Sequence, residues 1–152
     1  MIKVVNLQKR GKYGNAHVGI FIPQNPEKIC CEGPLQYKSQ LEKLFMSYAD
    51  KNPAIVSWGY EKTVVKYLDQ STRPAKVRRY YIDFVCKVRV GPIIKTVWVE
   101  IKPSCETRKP GRNANPKTIT TWIKNTCKWQ CARQLAKSKG CEFHILTEKE
   151  LT

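Results

Sequence analysis

The sequence predicts an α/β (α+β) fold, a central mixed β-sheet flanked by helices. Residues 35–50 and 117–139 carry apolar side chains at helical spacing. Residues 80–90 and 93–102 are rich in β-formers and flank Gly91-Pro92, which reads as a hairpin. A last strand follows the second helix, so helices and strands alternate around one sheet. The chain has 152 residues, the size of one ordinary domain, and 41% of them are hydrophobic, enough to build a core. Residues 1–152 therefore read as a single domain with an irregular N-terminal segment, 1–34.

The elements follow in chain order. Gly11, Gly14, Gly19, Pro23, Pro26, Gly33 and Pro34 break any long element in the first segment, although Val18 to Ile22 has the composition of a short strand. In 35–50, Leu41, Leu44, Phe45 and Tyr48 form one helical stripe, and Asn52-Pro53 ends it. Residues 54–58 and 61–68 read as short strands around Gly59, followed by a loop with Arg73, Pro74, Lys76, Arg78 and Arg79. In 93–102, Val97, Val99 and Ile101 fall on one face, Trp98, Glu100 and Lys102 on the other. Residues 103–116 form a basic loop. The helix 117–139 presents Trp122, Ile123, Cys127, Cys131 and Leu135 and stops at Gly140. Residues 142–147 form the last strand, and Thr147 caps a terminal turn.

Charge narrows the function. The 28 basic and 12 acidic residues leave a net charge of +16, which calls for a polyanionic partner, with DNA or RNA the default. Half of that excess, +8, lies in residues 103–140, the loop and the long helix. The middle segment, 41–102, holds six of the acids, where a simple basic binder has little use for them. No apolar run approaches the ~20 residues of a membrane span, and Met1 to Arg10 lacks the apolar stretch of a signal peptide. The seven cysteines are odd in number and lack the paired spacing of a zinc site. They read as small buried residues in a reducing compartment.

One constellation carries chemistry. Asp83 interrupts an apolar strand. Glu100 and Lys102 are two apart on the next, on one face, so pairing brings Asp83 towards Glu100. Two such carboxylates repel unless a cation sits between them, and oxygen ligands in that number suit Mg²⁺. A lysine beside them steadies a phosphate. Phosphodiester hydrolysis needs this set; three ordinary strand charges are the bland alternative.

These residues form D…(E/Q)-x-K on neighbouring strands, preceded by a helix bearing Glu42, and the pattern resembles the PD-(D/E)xK nuclease superfamily. The strings GIFIPQNPEK (19–28), Y-x-S-x-x-E-x-x-F (37–45), RRYYIDF (78–84), VEIKP (99–103), Lys128-Trp129 with Ala132, and GCEFHILTEKEL (140–151) resemble the head completion nuclease family of tailed phages, in that family's order. The resemblance implies a restriction-endonuclease-like core and a Mg²⁺-dependent DNA endonuclease, with Mn²⁺ as an alternative ion. It implies Asp83 and Glu100 as metal-binding acids, the Ile101 carbonyl as a further ligand, Lys102 as the catalytic lysine and Glu42 as the helix acid. Ile82 stands where many relatives have proline. Gln130 stands where many have an acid. The implied partners are DNA and phage capsid or portal proteins, in the host cytoplasm or with the virion, as monomer or homodimer. A non-catalytic DNA-end or capsid-portal binding protein and a junction-resolving endonuclease are the alternatives.

Several residues carry two readings. Ser39-Gln40-Leu41-Glu42 is also a capping-box pattern, in which Glu42 satisfies a backbone amide; a helix beginning near Pro34 argues against it. Glu61 either joins the site or ends a strand in solvent. Arg78 and Arg79 either contact phosphates or flank a strand. Trp122 and Trp129 suit core packing better than base stacking. Arg108, Lys109, Arg112 and Lys117 in the loop, with Lys124 and Lys128 on the helix, are the expected DNA-binding residues.

Overall fold

The computed structural model describes Lys9–Arg10 and residues 17–152. Gly11, Gly14 and most of Met1 to Arg10 lie outside the described residues. The first sheet joins β1 (Lys9–Arg10), β2 (His17–Phe21) and β3 (Leu35–Tyr37), all antiparallel. A 3-10 turn at Pro26–Lys28 lies between β2 and β3.

Helix α1 (Gln40–Lys51) starts later than its apolar stripe suggested. Ser39 is extended and its hydroxyl accepts from the Glu42 amide, which makes it the N-cap. Leu35 and Tyr37 face inward with Gln36 outward, and Leu35 pairs with Phe21, so these residues serve better as a strand than as a helical turn. The helix's other end is held from outside. Lys28 Nζ donates to the carbonyls of Ala49, Asp50 and Asn52 at 2.6–2.9 Å, and the buried Asp50 carboxylate accepts from the Gln24 and Asn25 amides. A cation on the last carbonyls also complements the helix dipole.

The central sheet is mixed, in the order β4-β7-β8-β9, from β4 (Ile55–Tyr60), β7 (Phe84–Val90), β8 (Ile93–Ile101) and β9 (Glu142–Leu146). Pairing is antiparallel except between β8 and β9, which run parallel because α2 (Pro116–Ser138) crosses over between them. Gly59 lies inside β4 rather than between two strands. A Cβ there would come within 2.9 Å of Cys31 Sγ, so only glycine permits this close approach.

The segment expected as a loop before the hairpin is a strand, β6 (Lys76–Tyr81), paired with β5 (Val64–Asp69) as a two-stranded ribbon. The strand expected over 80–90 is consequently two strands, β6 and β7, separated at Ile82 and Asp83. The break frees Asp83 from the ladder while Ile82 is buried.

Strand β8 serves two cores. Val97, Val99 and Ile101 join Phe45, Met46, Ala49, Trp58 and Phe84 against α1. Trp98 faces the other way, with Trp129, Ala132, Ala136, Tyr67 and Tyr80 under α2 and the ribbon. The alternation read from the sequence therefore places helices on both sides of a mixed sheet, consistent with a restriction-endonuclease-like fold. After β9, Thr147 caps the short α3 (Glu148–Leu151) in a full capping box with Glu150. Among the described residues no helix is long and apolar enough to cross a membrane.

Candidate active site

The hairpin register sets the site. Phe84 pairs with Val99, so the next step outward brings Asp83 opposite Glu100. The Ile101 amide donates to Asp83 Oδ2 at 2.9 Å, extending the ladder by a side-chain acceptor where the strand ends. Glu100 is 5% exposed and faces Asp83 across the end of the hairpin. Its Oε2 accepts from the Tyr80 hydroxyl, and Lys102 Nζ stands 3.7 Å from its Oε1.

Electrostatics follow from burial. Desolvation, then the Glu100 charge, push the Asp83 carboxyl well above its ordinary range; the Ile101 amide opposes this. Burial also raises Glu100, against the stabilising pull of Tyr80, Lys102 and Lys128. Burial and Glu100 together hold the Tyr80 phenol in its protonated, donating form. Lys128 Nζ lies 5.6 Å from the Tyr80 ring centroid and 5.9 Å from that of Tyr67. Its ammonium pKa is lowered by burial and by Lys102. A half-buried Asp83 facing a buried Glu100, with lysines at one side, forms a centre suited to a bound cation or a shared proton.

Glu42 braces the helix start and also faces the cavity beside Asp83. Its Oε2 accepts from the Lys38 amide at 2.6 Å, one residue before the N-cap, so it closes the helix start much as a capping box does. It also lines, with Asp83, Glu61, Tyr60 and Tyr81, a cavity of about 340 Å³, and its charge raises the Asp83 pKa. Glu61 accepts from the Lys62 and Thr63 amides and the Thr63 hydroxyl, and so shapes the β4–β5 turn.

The basic residues divide. Arg78 Nε binds Asp69 Oδ2 at 2.6 Å and Lys124 Nζ lies 3.9 Å from the same oxygen, so both are spoken for by a buried acid. Burial alone would raise the Asp69 pKa, but Ser71, Arg78 and Lys124 together hold it at about 2. Arg79, Arg108, Lys109, Arg112 and Lys117 are exposed. Trp129 is buried, as core packing predicted, whereas Trp122 is half-buried and stands edge-on to it at 6.1 Å between centroids. Gln130 is exposed. Sequence reasoning passed over Tyr80. The signal was its position in RRYYIDF, three residues before Asp83 and pointing opposite to the exposed Tyr81.

All seven cysteines are free, and among the described residues no group of three or more His, Cys, Asp or Glu side chains could hold a metal ion.

A buried Glu100 and a half-buried Asp83 thus face each other at a strand end, with Lys102 two residues on, on a mixed sheet between helices. The family described as "TnsA-like endonuclease N terminal" matches residues 52–148, and the chain belongs to it. The chain is also 36% identical over 146 residues to the head completion nuclease of Enterobacteria phage T4, a match covering 90% of this chain and 94% of that protein. These likenesses support a nuclease role.

Proposed function

We propose that the chain is a Mg²⁺-dependent DNA endonuclease, with Mn²⁺ able to replace Mg²⁺, acting in completion of phage heads. The observation that carries the reading is the pairing of Asp83 with Glu100 across the hairpin, with Lys102 beside them. The two carboxylates fit a divalent cation because burial and the Glu100 charge raise the proton affinity of Asp83, and a cation relieves the same cost.

In this reading Asp83 and Glu100 hold the metal and the Ile101 carbonyl is a further ligand. Bound Mg²⁺ supplies charge neutralisation of the phosphate and an acidified water. Lys102, already next to Glu100, compensates the negative charge that builds on the phosphate in the transition state. Tyr80 fixes the Glu100 carboxylate through its hydroxyl, and Glu42 faces the same cavity as Asp83, where it orients water. The exposed bases of the 103–116 loop hold the sugar–phosphate backbone, a contact that positions DNA without reading its sequence. DNA ends or branches at the capsid portal are the proposed substrate setting, and capsid or portal proteins the proposed neighbours.

The test is cleavage of supercoiled plasmid in Mg²⁺, Mn²⁺ and EDTA by wild type and by Asp83→Asn. Cutting in either metal, none in EDTA and none by the variant is expected. A wild type that cuts equally in EDTA overturns the metal dependence, and a variant that cuts as well as wild type overturns the site.

A further inference from the structure

The loop after β8 and the first half of α2 enclose a second cavity, of about 440 Å³, lined by neither Asp83 nor Glu100. Its walls carry Arg108 and Lys117 as cations, Thr118 and Thr121 as hydroxyls, and Trp122 and Asn125 deeper in the helix. That volume lies in the range of ordinary ligand pockets.

Asn125 is 4% exposed and lines the cavity, where its side-chain amide can both donate to and accept from a ligand. Trp122 offers part of a half-buried indole to the same space. Glu106 also lines the wall, and a carboxylate repels phosphate but accepts from an amino group on a base. An amide, a carboxylate, an indole and two flanking cations match a nucleotide; neither a bare anion nor an apolar ligand would use all of them.

The position fits as well. Asn125 precedes Lys128 by three residues, a rise of about 4.5 Å along the helix, and Lys128 lies over the ring of Tyr80, whose hydroxyl donates to Glu100. The cavity and the paired acids are thus neighbours along one face of α2. A base within a duplex cannot enter such a pocket unless it leaves the stack.

We infer that this cavity receives the base of an unpaired DNA nucleotide next to the strand to be cut, with Trp122 against its ring, Asn125 and Glu106 at its edge, and Arg108 and Lys117 at its phosphate. The inference rests on the DNA endonuclease reading and adds to it a preference for ends and branches over uninterrupted duplex.

The test is fluorescence anisotropy in EDTA, where nothing is cut, using one labelled duplex with and without a single unpaired nucleotide. Wild type is expected to bind the unpaired form about tenfold tighter, the effect of one stacked base. Asn125→Leu is expected to remove that preference while leaving duplex affinity unchanged. Thr121→Leu, which fills the cavity from an exposed position, gives the same readout should Asn125→Leu fail to fold. Duplex binding without preference in wild type, or preference retained in a folded variant, overturns the pocket and leaves the nuclease reading standing. Failure to bind either DNA overturns both.

Discussion

The backbone amide of Ile101 donates to the carboxylate of Asp83 across the hairpin, at 2.9 Å. That bond ties the end of β8 to the break between β6 and β7. It fixes one acid by the backbone of the residue that separates the other acid from the lysine. The spacing in Glu100-Ile101-Lys102 thus has a second use: the middle residue, facing the opposite core, supplies the amide that aims Asp83.

Asp83→Asn and Glu100→Gln should each lower cleavage by at least about 10²-fold, the usual loss when a charge-stabilising group is removed from a reactive centre. Neither should unfold the protein. Each removes one acid of a facing pair in which the Glu100 charge opposes ionisation of the half-buried Asp83, so without metal the thermal midpoint should rise by about 2–4 °C for each ~1 kcal/mol relieved. A midpoint that falls by several degrees would show the pair to be stabilising on its own.

Tyr80→Phe keeps the ring beneath Lys128 and deletes only the hydroxyl that donates to Glu100. Turnover at saturating Mg²⁺ should fall by about tenfold, equivalent to one charge-assisted hydrogen bond of ~1.4 kcal/mol. Unchanged turnover with a wild-type metal dependence would remove Tyr80 from the site.

Neutralising Arg108, Lys109, Arg112 and Lys117 together should flatten the salt dependence of DNA binding. If each contacts one phosphate, the slope of log K against log salt should fall by about 3–4, at roughly 0.9 per contact. A slope equal to wild type would assign the grip elsewhere, to Arg79 or the helix bases.

Asp69 supplies the pH dependence of stability. Its pKa is held at about 2, below an ordinary value near 3.8. The native state therefore binds its proton more weakly than the unfolded chain does. Its stabilisation is present above pH ~4 and is lost as pH falls towards 2. Asp69→Asn should cost about 1–3 kcal/mol at pH 7, and denaturant melts should show the difference shrinking below pH 4. A gap that stays constant to pH 2 would contradict the sign.

Much of this was legible in the sequence because period and chemistry agreed there. The hairpin around Gly91-Pro92, the two faces of β8, the long helix and the Thr147 cap all carried local signals strong enough to survive packing. So did Asp83, Glu100 and Lys102, whose spacing fixes their faces once the strands pair. The start of α1 was misread because the stripe of Leu41, Leu44, Phe45 and Tyr48 says nothing about Leu35 and Tyr37, which strand pairing with β2 claims. The ribbon strand β6 was hidden because its lysine and arginines look like a loop until Asp69, Tyr67 and α2 provide partners on its inner face. Tyr80 and Asn125 could not be singled out, since their importance lies in what they fail to expose.

Ser104, at the first turn after the reactive strand, donates its amide and its hydroxyl to Glu148 at the start of α3. The near end of the basic loop is therefore clamped by a side chain from 44 residues further along the chain. Changes of loop length entering at 108–115 can lengthen or shorten the arm without dragging Lys102 out of place. On the proposed reading, the arm's reach along DNA can change while Asp83, Glu100 and Lys102 stay where the sheet holds them.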